Sequence, residues 1–228
     1  MDNAILQQLL ALAGPYLDGL KITLEILVIT TILALILSVP LALARLSASA
    51  WLRWPAAVYS GAMRGTPLLA QLFVIYYGLP QIDLIRHTVL WSIFSSSFYC
   101  AILAFTLNMA AYLGEVVRGG ILAVPHGEVE AAKAFGMRPS TRLRRIVLPR
   151  AFRLVLPALS SEVVIQLKAT ALASVITLID LTGVARRLMA RSYSTDPLLI
   201  AGAIYIVLTF GIAMLFTSLE RKLNPQRR

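Results

Sequence analysis

The sequence predicts an all-α integral membrane protein: five transmembrane helices, with a cytoplasmic helix-turn-helix loop between the third and the fourth. Three observations predict it. Of 228 residues, 58% are hydrophobic and 14% charged, against about 45–50% and about 25% in a soluble domain, and mean hydropathy is +0.78. Five stretches approach or exceed the ~20 apolar residues that a membrane-crossing helix needs: 20–44, 56–79, 98–117, 154–179 and 198–219. The basic residues are distributed unevenly over the connections between them, as the positive-inside rule describes.

Taken in order, residues 1–19 form an external segment. It carries Asp2 and Asp18 and no basic cluster, which argues against a cleavable signal peptide. Within it, 4–17 reads as a short interfacial helix ended by Gly14-Pro15. Span one holds one carboxylate, Glu25. Span two carries Pro67 and Gln71, and span four Pro157 and several polar groups, so these two are the least regular. Trp51, Trp54 and Trp91 lie near span ends, where aromatic belts form. A basic tail, 220–228, closes the chain.

The net charge of +10 follows from topology and not from nucleic-acid binding. Arg45, Arg53 and Arg64, the eight Lys and Arg from Arg118 to Arg153, and Arg221, Lys222, Arg227 and Arg228 lie on one side. Lys21, Arg86, Arg186, Arg187 and Arg191 lie on the other, and Lys168 falls inside span four. The richer side is assigned to the cytoplasm, which puts the N-terminus outside and the C-terminus inside. Cys100 is the sole cysteine, so no intramolecular disulfide forms. His87 and His126 fall on opposite sides and make no metal pair.

The loop 119–150 is too polar for lipid. Pro125 ends the incoming helix. Residues 128–135 form a short helix with acidic residues in its first turn, and Gly136 stands where a left-handed terminator belongs. Residues 140–146 read as a second short helix before Leu148-Pro149. Ala131, Ala132 and Ala134 beside Phe135 suit docking into a groove of another protein; a solvated loop is the bland alternative.

Ionisable groups within spans are costly and mark function by default. Glu162, Gln166, Thr170 and Ser174 recur every four residues along one slanted stripe of span four, and Asn108, Tyr112 and Glu115 share a face of span three. As a substrate path, Glu162 and Glu115 offer negative charge to a cation, and Gln166, Asn108 and Thr170 offer hydrogen bonds. Alternatively the groups satisfy one another between helices, with Glu115 pairing to Arg118. Lys168 lies off the stripe and faces a partner helix. Arg186, Arg187 and Arg191, with Asp180 and Asp196, form either a docking surface or an interfacial helix among lipid headgroups.

Several runs of residues carry a family resemblance. Glu130-Ala131-Ala132, Gly136 and Ile146-Val147-Leu148-Pro149 resemble the EAA loop of ABC importer permeases. Arg64-Gly65-Thr66-Pro67-Leu68 with Tyr76-Tyr77-Gly78, Leu107-Asn108-Met109-Ala110-Ala111-Tyr112, Arg118-Gly119-Gly120-Ile121 and Leu167-Lys168-Ala169-Thr170-Ala171-Leu172-Ala173 resemble segments of the polar amino-acid permeases. The run 123–128 and Ser161-Glu162-Val163-Val164 are similar to the M-type subunit of histidine/lysine/arginine and opine importers. Ala169-Thr170-Ala171 departs from the Asp-Thr-Ser of many members.

The resemblance implies a type I (MetI-like) fold and a non-catalytic permease of the bacterial inner membrane, importing a cationic amino acid (histidine, arginine, lysine or ornithine) or an opine. It implies ATPase coupling by Gly127, Glu130, Ala131, Ala132 and Gly136. Its partners are a homologous second permease (or a second copy of this chain), an ATP-binding subunit dimer and a periplasmic solute-binding protein. The chain has no Gly-x-x-x-x-Gly-Lys-Ser/Thr loop, so it holds no cofactor and ATP belongs to the partner. The rival class is a stand-alone ion-coupled secondary transporter, for which the sequence offers no internal repeat.

Overall fold

Proline placement and small residues set the architecture. The computed structural model describes the backbone of residues 2–223 and the side chains of residues 13–223; of the basic tail, 224–228 lie outside the described residues. In chain order the helices are α1 (Asp2–Arg45), α2 (Ala50–Gly65), α3 (Leu68–Gln81), the short α4 (Asp83–Arg86) and α5 (Trp91–Phe94), α6 (Ser97–Leu122), α7 (His126–Ala134), α8 (Pro139–Ile176), α9 (Leu181–Ser192) and α10 (Asp196–Leu223). Four are long and apolar enough to cross a membrane: Ala13–Arg45, α6, α8 and α10.

The fifth expected span, 56–79, is a broken pair, α2 and α3. Thr66 and Pro67 are both extended (ψ 147° and 132°), because the residue before a proline is pushed out of the helical region and the proline offers no N–H. The break leaves the Met63 carbonyl without a helical donor, and side chains replace it. Gln71 Nε2 donates to Met63 O at 2.8 Å and to Thr66 Oγ1 at 2.7 Å. Asn108 Nδ2, from α6, donates to the same carbonyl and to Gln71 Oε1, each at 3.0 Å.

Two other expected breaks are absent. Gly14-Pro15 does not end a separate interfacial helix, since α1 runs through it. Nor does a second loop helix stop before Leu148-Pro149, because α8 is continuous from Pro139. A wide turn at Leu143–Val147, in which the Leu148 N–H reaches back five residues to Leu143 O, opens the ladder where the Pro149 ring would otherwise clash with a carbonyl.

The core lies between α1, α6 and α8. Ala101, Ala104, Ala110 and Ala111 are buried along α6, and such small residues let backbones approach where lipid supplies no hydrophobic drive between helices. Gly120 is the tightest case: a Cβ there would collide with Val155 Cγ1 and meet Ala151 O at 3.1 Å. Phe105, Ile26, Leu72 and Ile176 fill one cluster, and Leu113, Val155, Leu159 and Leu167 another. By contrast α10 has only 6% of its most apolar stretch buried: Tyr205, Leu208, Ile212 and Phe216 rest against the bundle, and the opposite face is left for lipid or a partner.

Candidate functional site: the elbow and the polar path

The elbow is built outward from α8. Val124, Val147 and Ala151 are buried together, and Val129 and Leu143 pack against them; Glu128 Oε1 pairs with Arg150 Nε at 3.3 Å. This seats α7 by one side, with Ala132 buried. Gly127, Glu130, Ala131 and Gly136 are exposed, and so is Phe135 at 86%. α7 ends in a double hydrogen-bond lock: Gly136 N–H to Lys133 O at 2.8 Å and Met137 N–H to Ala132 O at 3.1 Å. Gly136 has φ +71°, the left-handed geometry this termination requires. The outcome is a rigid knob with an exposed phenyl ring beside small side chains.

Where the elbow meets the bundle, one carboxylate gathers three guanidinium groups. Arg45 Nε donates to Glu115 Oε1 at 2.9 Å, Arg118 Nε donates to Oε2 at 2.8 Å, and Arg64 Nη1 lies 4.0 Å from Oε2. The node therefore joins the ends of α1, α2 and α6. The expected Glu115–Arg118 pair is present, and Arg45 and Arg64 join it. Reading one helix at a time could not find them, because they come from other spans.

The other path residues separate into two groups. Asn108 caps the α2–α3 break. Gln166 is buried and donates to Thr30 Oγ1 of α1 at 3.1 Å, and buried Thr170 donates to Leu167 O at 2.7 Å. Gln166 and Thr170 thus do not line an open path in this conformation: the stripe turns inward, with Gln166 bonded across to α1 and Thr170 and Ser174 bonded to carbonyls of their own helix. Glu162 differs. It is half-buried, and among the described residues no hydrogen bond or ion pair closes on it; Arg64 is the cation whose charge reaches it. Arg64 also lies 5.5 Å over the Tyr112 ring. Lys168 is exposed on the outer face of α8.

At the far end of the bundle, α9 buries Leu181, Val184 and Ala185 and exposes Arg186, Arg187 and Arg191. Asp180 does not belong to that exposed surface. It is fully buried as the N-cap of α9, accepting from Gly183 N–H at 2.9 Å, Thr182 N–H at 3.3 Å and the Tyr205 hydroxyl at 3.3 Å. Burial pushes its carboxyl up to about 6, against the opposing pull of these donors. Leu181 N–H donates to Thr23 Oγ1 at 3.0 Å, so the capped turn ties α9 to α1 and α10. A lone Asp before Leu-Thr-Gly was the available signal for this cap.

With this geometry, the comparisons with known proteins agree. Residues 31–225 match the family described as binding-protein-dependent transport system inner membrane component. The chain is 46% identical over 213 residues to the octopine transport system permease protein of Rhizobium radiobacter, covering 93% of this chain and 87% of that one. To the nopaline transport system permease protein of Agrobacterium fabrum it is 42% identical, covering 93% and 89%. To the histidine/lysine/arginine/ornithine transport system permease protein of Escherichia coli K12 it is 37% identical, covering 92% and 89%. A crystal structure of an amino acid ABC transporter with histidines superposes with TM-score 0.83 at 31% identity, covering 95% of this chain and 97% of that one.

Proposed function

The chain belongs to the family of binding-protein-dependent transport system inner-membrane components, and on that premise we propose that it forms the translocation path of an importer for a cationic amino acid or an opine. It is a non-catalytic permease subunit of an ABC importer and not a stand-alone secondary transporter. The single observation behind the cargo is that relatives at 46%, 42% and 37% identity are named for octopine, for nopaline and for histidine, lysine, arginine and ornithine. Glu162 suits such a cargo: a half-buried carboxylate unmatched among the described residues is stabilised by an arriving cation.

The working complex pairs this chain with a second, homologous permease, the homodimer being the other arrangement. Two ATP-binding subunits sit on the cytoplasmic side, hold the ATP, and receive the elbow through Gly127, Glu130, Ala131, Phe135 and the Gly136 turn. Ala132 supports that surface from beneath, because its side chain is buried. A periplasmic binding protein delivers cargo on the outer side, where α9 presents Arg186, Arg187 and Arg191. The N-terminus is outside and the C-terminus cytoplasmic, a reading supported by the loop charges, and α2 and α3 cross together as one broken span.

Affinity purification from the native inner membrane, followed by mass spectrometry and reconstitution, tests this. The expected result is recovery of an ATPase and a second permease, with ATP-dependent uptake of arginine or octopine. A chain that purifies alone and transports without ATP overturns it.

A further inference from the structure

Arg64 is one cation placed between two carboxylates, and the two have opposite needs. Glu115 has no need of it: Arg45 and Arg118 already donate to its two oxygens at 2.9 and 2.8 Å. Three guanidinium groups against one carboxylate leave this node with surplus positive charge. Arg64 is the least held of the three, at 4.0 Å and with 44% of its side chain exposed. Mutual repulsion favours its departure. Glu162 is half-buried with no ion pair among the described residues. Its neighbour Val163 shares a buried cluster with Met109 and Leu113 of α6, which sets Glu162 at the depth of the Tyr112 ring over which Arg64 rests, and the Arg64 charge acts on it there. Arg64 is also the penultimate residue of α2, just before the extended Thr66-Pro67 joint. It therefore sits where the helical ladder is already interrupted, and the flat face of Tyr112 supports its guanidinium at 5.5 Å.

We propose that Arg64 is a specificity-determining internal competitor: a tethered guanidinium that takes Glu162 whenever the Glu115 node releases it, and leaves Glu162 to the cargo's cation whenever the node holds it. This rests on the reading of Glu162 and of a cationic cargo given above. The node is well placed to control the exchange. Arg118 and Glu115 lie in the last two turns of α6, which ends at Leu122, and the elbow helix begins at His126. A displacement of the elbow therefore reaches the node through a short, well-packed helix end. A guanidinium competitor discriminates by charge: cargo without a cationic group gains nothing from Glu162 in either state.

The test uses the full complex of permeases, ATPase and binding protein in proteoliposomes, with ATP-driven L-arginine uptake as readout. Glu115→Gln sets Arg64 free, and uptake is expected to fall about tenfold, while adding Arg64→Gln to Glu115→Gln is expected to recover it about threefold. A node that only ties helices together gives a double variant as poor as Glu115→Gln or poorer, and that result overturns the proposal. Glu115→Gln also strips Arg45 and Arg118 of their partner and can impair assembly, so a second measurement uses Arg64→Gln alone. Equilibrium binding of radiolabelled L-arginine to the purified complex without binding protein is expected to tighten about threefold, with Arg64→Lys staying near native. Unchanged or weaker binding overturns the proposal. Native complex that hydrolyses ATP but imports no arginine removes the cargo reading, whereas normal native import with Arg64→Gln binding unaltered removes the competitor alone.

Discussion

Gly136 sits at φ +71° with open space where a Cβ would point, so a substitution there meets no neighbour and suffers only the backbone. Gly136→Ala is expected to cost about 1 kcal/mol locally. That is too little to unfold the bundle, yet it loosens the knob. Co-purification of the ATPase should drop while the melting temperature of the permease changes little; full ATPase recovery would show that the turn is not part of the coupling surface. Asp180 is the opposite kind of residue, buried and multiply bonded. Its carboxyl holds a proton up to about pH 6 when folded and up to about 3.8 when unfolded. The folded state therefore binds the extra proton between those values. This stability is fully present below about pH 3.8 and lost as pH rises through about 6, a change on the order of 3 kcal/mol. Melting curves between pH 4 and 7 should show that decline in the native protein and a flatter profile in Asp180→Asn, which keeps an acceptor for the α9 cap. Asp180→Ala removes the cap as well, at about 1 kcal/mol or more.

At the scale of elements, the broken span depends on donors borrowed from elsewhere. Asn108→Leu removes one of the two side chains bonded to the Met63 carbonyl and leaves Gln71 Oε1 without its partner. The expected loss is about 1–3 kcal/mol, read as a lower denaturation midpoint; Tyr112→Phe, whose hydroxyl reaches Arg64 O at 3.4 Å, should cost far less. This span also marks the boundary of what could be read in advance. Hydropathy located the apolar material of the four helices long enough to cross a membrane and of the shorter α2–α3 pair, because lipid demands it, and Gly136 announced the end of the elbow helix. The fate of the prolines was not legible. Pro67 breaks its helix because the preceding residue turns extended and replacement donors stand nearby, whereas Pro149 is absorbed by a widened turn. Both outcomes depend on tertiary neighbours. For the same reason Gln166 and Thr170 read as path-lining from their spacing, yet the rotation of α8 against α1 turns them inward.

For the whole molecule, burial and hydrophobicity are uncoupled. Phe105 is fully enclosed between α1, α3 and α8, and Phe210 is 65% exposed on α10, yet both are apolar residues of apolar helices. Lipid removes the transfer contribution for each, so packing alone separates them. Phe105→Ala leaves a cavity and should cost up to about 3 kcal/mol. Phe210→Ala should fall within about 0.5 kcal/mol unless the second permease covers α10. Thermal unfolding of the chain alone and of the assembled complex distinguishes these outcomes: a large loss for Phe210→Ala seen only in the complex would map the subunit interface onto α10.

The continuity of α8 has a mechanical consequence. Arg150, clamped to the elbow through Glu128, and Glu162 lie on one helical stretch, about 18 Å apart at 1.5 Å per residue. Between them stands Pro157, which offers no N–H to the helix ladder. A stretch of that length is a lever arm. Tilting it by about 6° at its inner end swings the Glu162 carboxylate by about 2 Å, enough to make or break a hydrogen bond, without any side chain along the way changing rotamer. In the proposed reading, the stroke of the ATPase and the grip on the cargo are two ends of that arm, and its stiffness at Pro157 sets how faithfully one follows the other.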